Sequence, residues 1–230
     1  MSADLVLVPG LNNTRAVFDG VVAHLPAGIT ALAVDNPPLD SVEAVAAALL
    51  PNLPDRFWLA GFSFGGYVAM ALLAATPERV QGLALVCSTP NADAPAAKTK
   101  RLAALAAVAE GRYLAMADAQ AANAFHPDSL LNTALLAQRH QMVRDYGAER
   151  YAAHVRAAMN RPDRSHLLNG LRPTLAVAAA HDQVVPPATM AAFVERCPAC
   201  QWVQIPGAGH LLPMEQPLAL AGTLARWALS

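Results

Sequence analysis

Charge is scarce in this chain of 230 residues. Only 14% of them are Asp, Glu, Lys or Arg, and the formal net charge is −1. That excludes a nucleic-acid binder working through a basic surface. Cysteine is scarce too. Three residues, an odd number, do not make a disulfide framework. Two of them stand in Cys197-Pro198-Ala199-Cys200, the spacing of redox and zinc motifs. No second C-x-x-C and no paired His accompanies them, and the segment reads as a loop after a helix, so neither role is assigned. No apolar run is long enough to cross a membrane. A basic leader is missing and a strand pattern starts within four residues, so the expected compartment is the cytoplasm. Repeats and low-complexity linkers are absent. What the chain has instead is apolar mass. It is 55% hydrophobic, enough for one large domain with a full core.

The rest is organised around Phe57-Trp58-Leu59-Ala60-Gly61-Phe62-Ser63-Phe64-Gly65-Gly66. It reads as a short buried strand, a sharp turn with Ser63 at the apex, and the start of a helix. The turn has the Gly-x-Ser-x-Gly form of a nucleophile elbow. A strained apex with a helix folded back on its strand leaves no room for neighbouring Cβ atoms, which Gly61, Gly65 and Gly66 lack. The serine then stands at a helix N-terminus, where free N–H groups favour developing negative charge.

Strand patterns come first at Leu5–Val8, Thr30–Val34, the elbow strand and Val80–Val86, with helical stretches between them. Asp40 and Glu43 have capping-box spacing for the Ala-rich helix that ends near Leu50. This β-α alternation implies a mostly parallel sheet covered on both faces. From about Asn91 to His166 no strand pattern is found. Helical stretches are expected at about 96–110, 112–121, 128–145 and 147–160. This segment holds ten of the sixteen Lys/Arg but seven of the seventeen Asp/Glu, so it is about three charges positive. Strand patterns resume at Thr174–Ala179 and Gln201–Ile205. The expected organisation is a core of residues 1–90 and 167–230 with a helical lid over 91–166.

A serine hydroxyl needs a base to take its proton and a third group to orient that base. Loops at the strand ends supply candidates. Asp182 follows the Thr174–Ala179 strand, and His210 follows the Gln201–Ile205 strand. Asp93 and Asp35 also follow strands and remain rival acids. His181 adjoins Asp182 and is badly placed as the base. His24, His126, His140, His154 and His166 read as solvated or capping, and Glu215 as a loop-fixing carboxylate. No cluster has metal-ligand spacing, so neither metal nor cofactor is expected.

Taken together, Gly61–Gly66, His181-Asp182 with Pro186, and Gly207-Ala208-Gly209-His210 with Glu215 and Pro217 resemble the serine-type α/β-hydrolase superfamily over nearly the whole chain. The closest look is to small carboxylesterases of the pimeloyl-ACP methyl ester esterase kind. The resemblance implies the α/β-hydrolase fold, with Ser63, Asp182 and His210 as the catalytic set. It implies Leu11 and Phe64 N–H groups as the oxyanion hole. One departure stands out: the first loop reads Pro9-Gly10-Leu11 where the family usually has His-Gly-x. Asn12 and Asn13 there make a turn or add a donor. Asn12, Leu131, Leu135, Met142 and Met159 are the candidate substrate-binding residues. The implied reaction is hydrolysis of a small to medium carboxylic ester or thioester through an acyl-enzyme, by a monomer or homodimer. An acyl carrier or CoA is a possible partner. A C–C hydrolase, acyltransferase, lyase or non-catalytic receptor stays open on the same residues.

Overall fold

A computed structural model describes residues 3–168 and 172–230. Six strands form one sheet in the order β2-β1-β3-β4-β5-β6, every neighbouring pair parallel. They are β1 (Ala3–Val8), β2 (Ile29–Ala33), β3 (Phe57–Phe62), β4 (Val80–Val86), β5 (Thr174–Ala179) and β6 (Cys200–Ile205). The continuous apolar runs follow from burial on both faces. In β1, Leu5 and Leu7 enter one core layer while Val6 and Val8 enter the other.

Helices α1 (Asp19–Ala23) and α11 (Pro217–Ala228) cover the Leu5/Leu7 face, where Trp227 meets Trp58 edge-on at 4.7 Å. Helices α2 (Val42–Leu49), α3 (Phe64–Ala75) and α9 (Pro187–Val194) cover the Val6/Val8 face. Parallel strands send all their C-terminal loops to one edge. Pro9–Asn13, Ser63, Cys87, Asp182 and His210 therefore gather there.

The chain between β4 and β5 carries α4 (Pro95–Ala109), α5 (Tyr113–Ala119), α6 (Ala121–Ala124), α7 (Thr133–Tyr146) and α8 (Ala148–Asn160). The short helix α10 (Leu212–Glu215) follows β6. Tyr113, Ala117, Val143, Tyr146, Tyr151 and Val155 give the α5–α7–α8 group its own small core.

Two local expectations are corrected. The α2 N-cap is Ser41, whose Oγ accepts the Ala44 N–H at 3.1 Å, and not Asp40. The helix starts one residue later than the Asp40/Glu43 spacing implies, and Glu43 pairs with Arg164 instead. The expected helix over 128–145 is broken. A 3-10 turn covers Pro127–Leu131, and the Asn132 side chain caps α7 by accepting the Leu135 N–H. The break turns Leu131 outward, and it is 83% exposed.

Candidate active site

The site begins with a strained residue. Ser63 sits between β3 and α3 with φ 51° and ψ −117°, a conformation a non-glycine residue holds only when its surroundings impose it. Those surroundings are backbone and glycine. The Ser63 N–H donates to Val86 O at 2.9 Å, and the buried Ser88 hydroxyl donates to Ser63 O at 2.7 Å. A Cβ on Gly61 would lie 2.4 Å from Gly65 O, one on Gly65 2.0 Å from Val8 O, and one on Gly66 2.2 Å from Ser88 Oγ. None of these contacts is possible, so α3 can fold back onto β3 and approach β1 only with glycine there.

Three side chains from three strand-end loops then form a line. Ser63 Oγ lies 2.9 Å from His210 Nε2, and His210 Nδ1 lies 2.8 Å from Asp182 Oδ2. The other Asp182 oxygen accepts the Val184 and Val185 N–H groups, each at 2.8 Å. Asp182 and His210 are buried. A carboxylate with these acceptances is fixed in position, and it holds Nδ1 as the protonated nitrogen. Nε2 is then the lone pair facing the serine, so the arrangement can take a proton from Ser63 Oγ.

The rival carboxylates are engaged elsewhere. Asp93 is gripped by Arg101 and Arg161, which hold its pKa below the usual carboxylate range against the opposing effect of burial. Asp35 accepts the Arg15 N–H at 2.7 Å.

The backbone beside the serine offers donors. Phe64 is the first residue of α3, so its N–H has no acceptor within the helix. Neither the Leu11 nor the Phe64 N–H donates in the backbone bonds of turns and loops among the described residues. The Pro9–Asn13 loop is clamped at several points. Asn36 Nδ2 donates to Pro9 O at 3.0 Å, and Asn13 Nδ2 to Leu11 O at 2.7 Å. Asn12 takes a left-handed turn with φ 61°, and its Oδ1 accepts the Tyr113 hydroxyl at 2.9 Å.

The His210 loop is tied to the helical segment. Glu215 accepts Gly209 N–H at 2.9 Å through one oxygen and His126 N–H at 2.7 Å through the other. Burial pushes the Glu215 carboxyl up despite these bonds. A Cβ on Gly209 would lie 2.6 Å from Phe125 C, so the 124–126 backbone rests directly on this loop.

Among the candidate substrate-binding side chains, buried Met142 and half-buried Leu135 pack with the core layer that contains Phe62 and Phe125. Met159 is half-buried near the end of α8. Leu131 points to solvent and is not brought to the site. A cavity of about 370 Å³ opens among Val108, Tyr113, Leu114 and Arg144, and Ser63, Asp182 and His210 do not line it.

Two residues escaped the sequence reading. Cys87, directly after β4, has φ 47° and is fully buried. Its Sγ lies with an Asp182 oxygen and a His210 ring nitrogen in a group whose atoms are all within 4.8 Å of one another. Burial, and then the neighbouring Asp182 carboxylate, push the thiol pKa up. Its place at a strand end was the available signal. His154 was expected to be solvated or capping, but it is fully buried and stacks on the Phe64 ring at 4.7 Å and 21°. It lies one turn along α8 from Tyr151, on the side that meets the core.

Known proteins share this architecture. A pimeloyl-(acyl-carrier protein) methyl ester esterase of Nitrosomonas europaea is 39% identical over 95 residues, which span 38% of this chain and 38% of that relative. An esterase of Thermogutta terrifontis superposes with a TM-score of 0.90 and 27% identity, covering 99% of this chain and 89% of that one. An enol-lactonase of Burkholderia xenovorans superposes at 0.89 with 20% identity, covering 100% and 92%. A family model described as alpha/beta hydrolase fold matches residues 5–217. Over nearly its whole length, then, the chain belongs to the α/β-hydrolase fold family.

Proposed function

We propose that the protein is a serine esterase that cleaves a carboxylic ester, or a thioester, of a small to medium acyl group. The observation that carries this reading is the unbroken line from Ser63 Oγ through His210 to Asp182 at a glycine-built elbow. Ser63 attacks the carbonyl carbon as His210 Nε2 takes its proton. Asp182 orients the imidazole and stabilises the imidazolium. The Leu11 and Phe64 N–H groups receive the developing oxyanion, helped by the N-terminus of α3. His210 returns the proton to the leaving group. Water, activated by the same imidazole, then hydrolyses the acyl-enzyme. Residues 91–166 act as a lid over the strand ends, with Leu135 and Met142 on its inner side.

The names of the curated relatives support a carrier-borne ester as a substrate candidate, although the match spans 38% of the first relative's length. The surplus of Lys/Arg over Asp/Glu in residues 91–166 is compatible with an anionic carrier. The test is the turnover of p-nitrophenyl acyl esters, acyl-CoA and acyl-carrier methyl esters by wild type and Ser63→Ala. Ester turnover that vanishes with Ser63→Ala supports the reading. Equal turnover by both proteins overturns it.

A further inference from the structure

The Pro9–Asn13 loop lacks the histidine usual in this family, yet it must hold the Leu11 N–H in place. The helical segment supplies an alternative support, in which Asn12, next to Leu11, is held by a lid tyrosine. The Tyr113 hydroxyl shares its proton between Asn12 Oδ1 and Val143 O, each 2.9 Å away.

A second lid tyrosine, Tyr146, packs in the same small core as Tyr113. Its hydroxyl meets His154 Nδ1, while His154 Nε2 lies 2.6 Å from Pro37 O. A carbonyl oxygen can only accept, so Nε2 carries the proton and Nδ1 accepts from Tyr146. The same imidazole stacks on the ring of Phe64, whose N–H is the other proposed oxyanion donor. Tyr113, Tyr146 and His154 are all buried. Water cannot replace their bonds, so loss of one leaves a buried group unpaired. Side chains packed together in the lid thus touch the neighbour of one oxyanion donor and the side chain of the other.

We propose that Tyr113, Tyr146 and His154 are positioning residues for the oxyanion hole, so that the lid, through Asn12 and Phe64, sets its geometry. This rests on the esterase reading above. Positioning of this kind affects the transition state, in which charge sits on the oxyanion, far more than substrate binding.

The test uses the full-length protein with Tyr113→Phe, Tyr146→Phe, the double variant, and Tyr151→Phe as control. Each keeps its ring. Tyr151 packs against Tyr113, with ring centroids 5.3 Å apart, in the same small core, but is not part of the link to Asn12. The readouts are kcat and KM on a short p-nitrophenyl ester, and the inhibition constant of an alkyl boronic acid, whose tetrahedral adduct occupies the oxyanion hole. The double variant is expected to lose about ten- to a hundredfold in kcat, the scale of a misplaced catalytic group. KM should stay within about twofold and boronate affinity should fall in step with kcat. Tyr151→Phe should retain wild-type kcat and boronate affinity. Unchanged kcat in the double variant, a loss confined to KM, or an equal loss in Tyr151→Phe would overturn the proposal. A wild-type protein inert to esters would instead overturn the esterase reading, and this inference with it.

Discussion

Burial of His154 makes acid stability a sensitive test of the packing above the site. Burial, and secondarily the Arg150 charge, lower its pKa from the ordinary 6.5 to about 4, although its bond to Pro37 O works the other way. The unfolded chain therefore takes up a proton near pH 6.5 that the folded chain refuses until about pH 4. Stability from this group is fully present above pH 6.5 and is lost as pH falls through that window. At pH 5, unfolding binds about 0.9 proton at this site, a slope of about 1.2 kcal/mol per pH unit. Across the window the loss is about 3 kcal/mol, a large part of a typical domain's 5–15 kcal/mol. His154→Gln keeps a donor for Pro37 O and an acceptor for Tyr146 but cannot titrate. It should be less stable than wild type at pH 8 yet nearly flat between pH 6.5 and 4.5, where wild type declines. Urea unfolding at half-unit pH intervals, followed by tryptophan fluorescence, gives both slopes. Parallel curves for the two proteins would refute the claim that His154 is buried and neutral.

Other outcomes follow from the same geometry. Asp182→Asn should lower kcat by about 10⁴ with little change in Tm, because a wrong imidazole tautomer leaves the fold intact. Asp93→Asn should do the reverse, costing about 3 kcal/mol in unfolding experiments, because two guanidinium groups lose a buried partner, while kcat is retained. Gly65→Ala forces a Cβ against Val8 O and should cost about 3 kcal/mol or more in thermal unfolding, together with ester turnover. For p-nitrophenyl esters from acetate to palmitate, kcat/KM should rise by roughly fourfold per methylene, about 0.8 kcal/mol, and then fall where the chain meets the lid. A flat or ever-rising profile would contradict the lid proposed over the strand ends.

Much of this is legible in the sequence. Gly61, Gly65 and Gly66 could be read because backbone crowding at an elbow has few solutions, and each is crowded as expected. The strand-end positions of Asp182 and His210 could be read because parallel strands deliver all their C-terminal loops to one edge. Side-chain direction within the helical segment was harder. A helical period defines a face without naming what lies opposite it. Beside Tyr151 and Val155, His154 therefore reads as solvated or capping, although its ring stacks on Phe64. Leu131 lies within the helix expected over 128–145, but Asn132 starts a new helix and breaks the phase. The cap falls on Ser41 and not on Asp40, a shift of one residue that leaves the apolar pattern around it unchanged. Cys87 carried no motif, and its relation to Asp182 exists only through the pairing of β4 with β5.

The central claim is that Ser63 is the nucleophile. The direct measurement is intact mass followed by peptide mapping after a fluorophosphonate is added to wild type, Ser63→Ala and His210→Ala. The account predicts one adduct per wild-type chain, on the peptide containing Ser63. It predicts no adduct on Ser63→Ala and labelling slowed by several orders of magnitude in His210→Ala. An adduct on another residue, or labelling of Ser63→Ala at the wild-type rate, would contradict it.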